Sequence, residues 1–446
     1  MAKKLFGTDG IRAVAGQYPL DPPTITALGV ALADDLIRQN LADKTVLIGM
    51  DTRESGPEIV ARLAEGLSRR GVAIRFAGVL TTPGVAYLTR TGDFAAGIMI
   101  SASHNPFLDN GIKVFAHTGF KLPDAEEHEI EEEIFRILPD TRPAENLVPA
   151  EQNYDVRRYL DFLLSTLRTR LGGLKIVMDC GNGAASSLAP ALFREAGAEV
   201  VAICTEPDGR NINLDCGALH LQKLQAKVVE TGADAGVAFD GDADRALMVG
   251  PSGRIVDGDA ILLIAGTRLQ RDGHLPGNIV VSTVMSNLGL EKALERAGIT
   301  MLRTAVGDKY VLEEMLRRNA PLGGEQSGHI IFSEYSTTGD GMLTALKVLE
   351  TCVREKENLD TLAADLKLFP QLLVNVRVKE RKPLGELTLV EKEIAACEAE
   401  LDGSGRVLVR FSGTEPLLRV MVEGLDQTQI ENLAGRIVAA IHAELG

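Results

Sequence analysis

No apolar run in the chain is long enough to cross a membrane: Ala260 to Gly266 is among the longest, against the roughly 18 residues a spanning helix needs. No hydrophobic stretch follows Lys3 and Lys4, so the N-terminus does not read as a secretory signal. Cysteine is scarce, with five at positions 180, 204, 216, 352 and 397. Their odd number and lack of C-x-x-C spacing argue against a disulfide framework or a zinc site, and for a reduced, cytoplasmic setting. Basic residues are outnumbered 47 to 62, a net charge of −15, which repels nucleic acid and anionic membrane. An anionic substrate would therefore require positive charge concentrated locally. There is no Gly-x-Ser-x-Gly elbow, which excludes acyl-transfer hydrolase chemistry of that kind. Gly181-Asn182-Gly183 does not continue into a dinucleotide fingerprint.

What is present is a globular composition, 45% hydrophobic over 446 residues, sized for about three or four domains. One pattern recurs. Lys44-Thr-Val-Leu-Ile-Gly-Met reads as a buried strand. A helix follows Pro57 with Ile59, Leu63 and Leu67 on one face, stops at Arg69-Arg70-Gly71, and leads to a strand over Val72 to Phe76. The same order returns from Leu174 (helix 188–196, strand 199–203) and from Asn278 (helix 290–297, strand 300–303). Each unit then runs through a third apolar segment into a polar loop. Ser103 lies 59 residues after Lys44, Asp240 66 after Leu174, and Glu325 47 after Asn278. Strands alternating with helices predict α/β domains, whose ligands gather at the carboxyl ends of strands.

The expected architecture is three tandem, topologically related α/β/α domains with mixed, largely parallel sheets, a smaller C-terminal α+β domain, and an active site in the central cleft. Proline at 139, 143 and 149 marks the first linker, Gly250-Pro-Ser-Gly the second, and Phe369-Pro370 the start of the last unit. The expected domains are 1–150, 151–252, 253–368 and 369–446. The last has strands at 372–378, 407–411 and 418–423 and helices at 386–400 and 427–443. The run 124–133, with seven acids, reads as a solvated helix face.

Asp240, Asp242 and Asp244 are hard oxygen donors with no Cys or His beside them, a set that suits Mg²⁺. The apolar Val237-Ala-Phe239 delivers them to a sheet end. An acidic surface turn is the plain alternative, and an EF-hand is excluded by Arg245 and Pro251 at its sixth and twelfth positions. Ser103, in Ser101-Ala-Ser-His-Asn-Pro106, is a nucleophile candidate with His104 and Lys113 near in sequence; such turns also serve as structural caps. A Ser facing an Asp-bound metal across a cleft points to phosphoryl transfer. Arg410-Phe-Ser-Gly-Thr-Glu-Pro416, with Arg419, reads as an anion loop or a hairpin turn. Glu325 and Ser327 offer hydrogen bonds to vicinal sugar hydroxyls.

These four loops and Phe6-Gly-Thr-Asp-Gly-Ile-Arg12, in this order from end to end, resemble the α-D-phosphohexomutase superfamily. Gln326, where the phosphomannomutase/phosphoglucomutase branch typically has Met, and Thr337-Thr-Gly-Asp-Gly341 resemble its glucosamine branch. The resemblance implies that Ser103 is the phosphoserine and that Ser103, Asp240, Asp242 and Asp244 hold one Mg²⁺. It implies that Arg12, Lys113, His104 and His329 supply charge or proton transfer, and that Arg245, Lys309, Glu325 and Ser327 bind substrate. Arg410, Ser412, Gly413, Thr414 and Arg419 would grip the phosphate that is not reacting. The implied reaction interconverts glucosamine 6-phosphate and glucosamine 1-phosphate through glucosamine 1,6-bisphosphate, feeding UDP-N-acetylglucosamine synthesis. The partner is then a small sugar phosphate, with no nucleic acid or membrane, for a monomer or homodimer. The sequence departs from the pattern at Ala13, where Gly is common, at Phe411, where Lys or another polar residue is frequent, and at Cys216-Gly-Ala-Leu-His220. A phosphomannomutase or phosphoglucomutase is the near alternative. A Mg²⁺ phosphatase would need an aspartyl rather than a seryl phosphoenzyme, and a non-catalytic sugar-phosphate sensor would not need Ser103 and the Asp triplet intact. Despite the −15, the cleft, with Arg12, Lys113, Arg245, Arg410, Arg419 and the metal, is expected to be locally positive.

Overall fold

The computed structural model describes residues 5–7, 9–41, 45–145, 150–380, 382–411 and 417–445. In the first unit the continuous apolar segment Thr45–Met50 becomes a central strand, buried on both faces as such runs demand. It lies between Ile74–Val79 and Phe94–Ile100, both parallel to it, and Asp109–Ala116 returns antiparallel to Phe94–Ile100. The helix Gly56–Ser68, with proline in its first turn, packs on the helix Pro22–Arg38. Their contact depends on Gly66, where a Cβ would lie 2.3 Å from the Thr26 carbonyl oxygen.

The arrangement repeats. Lys175–Asp179 sits between parallel Glu199–Ile203 and Ala235–Phe239, and Ala246–Val249 returns antiparallel. Ile279–Thr283 sits between parallel Thr300–Thr304 and Leu322–Gly324, and Ile330–Phe332 returns antiparallel. The parallel part of each sheet is the three strands at one end, and the antiparallel return begins the other. Each polar loop joins the third strand to its antiparallel return, so the loop is a strand-to-strand turn rather than a strand-to-helix turn. For that reason the sheets are more evenly mixed than the strand–helix alternation predicts.

The last unit is a three-stranded antiparallel sheet of Gln371–Arg377, Leu417–Gly424 and Gly405–Phe411, in that order, packed against the helices Thr388–Leu401 and Gln427–Leu445. One buried core runs from Leu47, Leu88 and Met99 through Met178, Phe193 and Phe239 to Ile261, Leu294 and Leu346, welding the first three units together. The fourth keeps its own core of Val376, Val390, Leu401, Val420, Ile430 and Ile437. The acidic helix Asp124–Ile137 is not solvated all round. It buries Ile130, Ile134 and Glu131, because Glu131 accepts hydrogen bonds from the Leu5 and Phe6 N–H groups at 2.7 and 3.2 Å. No helix among the described residues is long and apolar enough to cross a membrane.

Candidate active site

The sheet ends of the first two units meet face to face. Ser103 Oγ donates to Asp240 Oδ2 at 2.5 Å across 137 residues of sequence. The donor oxygens of Asp240, Asp242 and Asp244 lie within 4.8 Å of one another, and all three side chains are buried. That excludes the acidic surface turn. Thr82, opening the helix Thr82–Thr91, donates its Oγ1 to Asp242 Oδ2 at 2.5 Å and its N–H to the Asp242 carbonyl at 3.0 Å.

The Ser103 loop is fixed from below by residues the sequence reading did not select. Asp51 and Arg53 follow the strand Thr45–Met50, and both side chains are fully buried. Arg53 Nε pairs with Asp51 Oδ2 at 2.9 Å. Its remaining N–H groups donate to the carbonyls of Ser103 (2.9 Å), Asn105 (2.8 Å), Asp109 (3.0 Å) and Pro106. Asp51 Oδ2 also accepts from Ser101 Oγ at 2.6 Å, and Ser101 Oγ accepts from the Ser103 N–H at 2.9 Å. From the second unit, Asn213 Nδ2 donates to the Ser103 carbonyl at 2.9 Å. Ser103 itself takes φ +53°, a left-handed conformation that a non-glycine residue holds only when its surroundings over-determine it. The available signal was Asp-x-Arg at the carboxyl end of the first strand, where ligands and their supports gather.

Lys113 Nζ lies 2.8 Å from Asp242 Oδ2, 3.2 Å from Asp244 Oδ2 and 3.0 Å from Asp9 Oδ2. Burial opposes its charge, but Asp242, Asp9 and Asp244 outweigh burial and hold its pKa well above the usual lysine value. Burial, with Asp244 and Asp242 beside it, pushes Asp240 the other way, well above the usual carboxylate range. Behind them a second tier links the first and third units: Lys121 Nζ pairs with Asp9 Oδ1 at 2.6 Å and Asp308 Oδ2 at 2.5 Å. His329 accepts the Gly339 N–H at Nε2 (2.9 Å), which turns its protonated Nδ1 toward Asp244 Oδ1 at 3.6 Å. His104 Nδ1 stands 3.2 Å from Ser103 Oγ. Burial, then Arg245 and Arg12, push its pKa down to about 4, so the ring is neutral at pH 7.

Above this floor opens a cleft of about 400 Å³ lined by residues of the first three units. Of the residues expected there, Arg12, His104, Asp244, Arg245, Glu325 and His329 line it, while Ser103, Asp240, Asp242 and Lys113 lie buried beneath. Glu325 Oε1 is oriented by the Gly307 N–H at 3.2 Å. Lys309 is not brought in: it pairs with Asp124 and Glu313, and its neighbour Asp308 takes the cleft position. Ser327 is exposed outside the lining. Gln326 is held away from the cleft by Asp257, to whose Oδ2 its Nε2 donates at 3.2 Å. Arg410 and Arg419 face each other across two strands of the fourth unit's sheet and do not line this cleft; Ser412, Gly413 and Thr414 lie outside the described residues. Without a metal, the lining side chains alone are not net positive: Arg12 and Arg245 stand with Asp9, Asp244, Asp308 and Glu325.

A divalent cation fits the floor. Asp242 Oδ1 is a buried oxygen with no hydrogen-bond partner, and Asp244 Oδ1 has only the longer approaches of His329 and Arg245; an unpartnered buried oxygen costs free energy unless a cation takes it up. The donors are all oxygen, as Mg²⁺ prefers.

Models of the phosphoglucomutase/phosphomannomutase α/β/α domains I, II and III and C-terminal domain match residues 3–140, 157–253, 257–369 and 373–440. The chain is 60% identical over 446 residues to a phosphoglucosamine mutase of Solibacter usitatus, with 100% of both chains covered. It is 50% identical to that of Koribacter versatilis, covering 100% of this chain and 98% of the relative. Among solved structures, a phosphoglucomutase/phosphomannomutase family protein from Burkholderia thailandensis superposes with a TM-score of 0.81 at 27% identity, covering 98% of this chain and 97% of that one. An N-acetylphosphoglucosamine mutase from Aspergillus fumigatus, solved with GlcNAc-6P and magnesium, shares the fold at a TM-score of 0.65 and 18% identity, covering 99% of this chain and 96% of that one.

Proposed function

Because the chain belongs to the phosphoglucomutase/phosphomannomutase family, we propose that it interconverts glucosamine 6-phosphate and glucosamine 1-phosphate, with Ser103 carrying the phosphoryl group between turnovers. The observation that carries this reading is the meeting of Ser103 Oγ with the buried Asp240 carboxylate beneath a cleft of sugar-phosphate size. The names of relatives up to 60% identical over the full length support the choice of sugar.

Asp240, Asp242, Asp244 and a Ser103 oxygen would hold Mg²⁺, which supplies charge neutralisation to a transferring phosphoryl group. Arg53 and Asn213 hold the Ser103 carbonyl and thereby fix its Oγ beside Asp240, beneath the cleft. His104, neutral at pH 7, can hold a proton at Nδ1 beside Ser103 Oγ. Arg12 and Arg245 face the bound phosphate, and Glu325 accepts from sugar hydroxyls. The phosphoryl group passes from Ser103 Oγ to the 1-oxygen of glucosamine 6-phosphate, the hydroxyl giving up its proton as Oγ takes one. In the second half the 6-phosphoryl group of the 1,6-bisphosphate returns to Ser103 Oγ, which gives up its proton as the 6-oxygen takes one. A bisphosphate presents either end to the floor, so the opposite end needs a separate grip. Arg410 and Arg419, two like charges placed directly opposite each other, are suited to share one anion.

The test is a coupled assay on glucosamine 6-phosphate, glucose 1-phosphate and mannose 1-phosphate, with intact mass for one bound phosphate. Glucosamine 6-phosphate is expected to be the preferred substrate. Ser103→Ala is expected to lose the bound phosphate and at least about 10³-fold in rate while melting normally. A folded Ser103→Ala chain with near-normal turnover would sink the phosphoserine route; faster turnover of mannose 1-phosphate would sink the assignment of the sugar.

A further inference from the structure

We propose that Asp179, Cys204 and Cys216 form a second cation site, specific for a thiophilic divalent ion of the zinc class, behind the Ser103 loop. Asp179 ends the strand Lys175–Asp179 opposite Ile203, the last residue of its parallel neighbour Glu199–Ile203; Cys204 follows with φ +52°, a left-handed turn out of the strand at the carboxyl edge of the sheet. The loop 205–215 then folds back and brings in Cys216. Glycine must follow it: Gly217 has φ +69°, and a Cβ there would lie 2.6 Å from the Phe239 carbonyl oxygen.

One ligand atom from each of the three residues lies within 4.8 Å of the others. Tetrahedral zinc, with bonds of about 2.3 Å to sulfur and about 2.1 Å to oxygen, needs its donors about 3.5–3.8 Å apart, a contraction of no more than roughly 1 Å. The independent sign of a ligand is Asp179 itself. It is fully buried; Oδ1 accepts the Gly181 N–H at 2.9 Å, while Oδ2 makes no hydrogen bond of regular geometry, although the Gly217 N–H and the Cys204 thiol stand close enough to stabilise the carboxylate. Two sulfurs and one oxygen separate this cluster chemically from the all-oxygen Asp240 triplet of the same unit, which selects a hard ion. Zn²⁺ with two thiolates and a carboxylate carries +2 − 3 = −1, and Lys223 is close enough to act electrostatically on all three groups. Binding releases the two thiol protons. Cys204 is half-buried and gives the ion a way in; three protein ligands leave the fourth position to water.

The position gives the site a purpose. The loop it would staple carries Asn213, the donor to the Ser103 carbonyl. Asn182, whose N–H donates to the Cys204 carbonyl at 2.7 Å, accepts from Thr52 Oγ1 at 2.6 Å. A bound ion would hold both crossings between the first two units. Eleven residues separate the two cysteines, which is why spacing alone argued against zinc.

The full chain, reduced with a phosphine and kept in excess Mg²⁺ to occupy the Asp240 triplet, is titrated with Co²⁺ and then Zn²⁺. A thiolate-to-cobalt charge-transfer absorption in the near ultraviolet is expected to saturate at one equivalent and to vanish on adding Zn²⁺. Oxygen ligands alone do not produce that band. Cys204→Ser and Cys216→Ser are each expected to abolish it, and Asp179→Asn to weaken Zn²⁺ binding by at least about 100-fold, since loss of an outer partner alone costs 10–100-fold. Should the fully buried Cys216 variant not fold, the half-buried Cys204→Ser still decides. No band in the reduced wild type, or a band that survives Cys204→Ser, overturns the proposal. So does a reduced chain that binds no Co²⁺ yet loses two hydrogen atoms to a Cys204–Cys216 disulfide under peroxide.

Discussion

The Ser103 loop and the Arg410–Arg419 pair are both assigned to phosphate, yet they occupy opposite mechanical settings. Ser103 is 1% exposed and held by Arg53, Ser101 and Asn213, in units that share one apolar core. Arg410 and Arg419 are half-buried on a sheet whose core is its own. That sheet joins the third unit through polar contacts. Arg406 reaches the buried Glu423 at 2.5 Å and the Val284 and Ser286 carbonyls at 2.7 and 2.6 Å. Glu423 in turn accepts the Leu288 N–H at 2.9 Å, and Asn287 makes two hydrogen bonds with the Phe369 backbone. A welded apolar core cannot slide without opening cavities, whereas a polar seam of a few hydrogen bonds can re-form with water. On the proposed function, the reacting atoms would sit where position must be exact to fractions of an ångström, and the distal grip where it could follow either end of a bisphosphate.

After Ser103→Ala, the largest expected effect also breaks the rigid side. Asp242→Asn should cut turnover by about two to three orders of magnitude and raise the Mg²⁺ concentration needed for half-maximal rate; an unchanged Mg²⁺ titration would remove Asp242 from the ligand set. Next, Arg53→Leu strands the buried Asp51 carboxylate and should cost about 3–5 kcal/mol. Calorimetry should place that loss in the transition of the welded units, with the C-terminal transition unmoved; a uniform shift of both would show that the two regions unfold as one. On the other side, Arg410→Ala should raise KM about 10–100-fold with the C-terminal melting temperature unchanged or higher, because it dissolves a like-charge pair across the strands. A fall in kcat with KM constant would place Arg410 in the chemistry instead.

The smallest effect reads the seam. Asp259, whose Oδ2 accepts the Asn287 N–H at 2.7 Å, has its pKa raised to about 7 by burial and then by Asp257. A carboxyl with a folded pKa above its unfolded value of about 3.9 contributes stability in full below pH 4 and loses it as pH rises to about 7. Asp259→Asn removes that loss. Its melting temperature relative to wild type should therefore climb by a few degrees between pH 4 and 7, and a flat difference would show that Asp259 does not titrate there.

The repeat and the candidate site residues were readable because each is local. A buried strand, a capped helix, a second strand and a polar loop leave their marks within about 60 residues, and Ser103 and the Asp240–Asp244 set each follow closely on the end of a strand. Side-chain placement was not local. Gly307-Asp308-Lys309 offers two adjacent charges, and only packing shows that Asp308 lines the cleft while Lys309 pairs with Asp124. Gln326 marked the glucosamine branch by identity, in agreement with the relatives, while its side chain is bound to Asp257.

By itself the sequence determined the periodicity of strands and helices, the order of the loops and the chemical types they carry, since hydrophobic spacing and turn residues act between neighbours in the chain. Tertiary structure alone decided which charges meet. Lys113 serves Asp242 and Asp244 from 129 and 131 residues away, Lys121 joins Asp9 to Asp308, and Asp179 finds two cysteines. These pairings depend on the docking of whole sheets, and a buried charge has no partner until that docking supplies one.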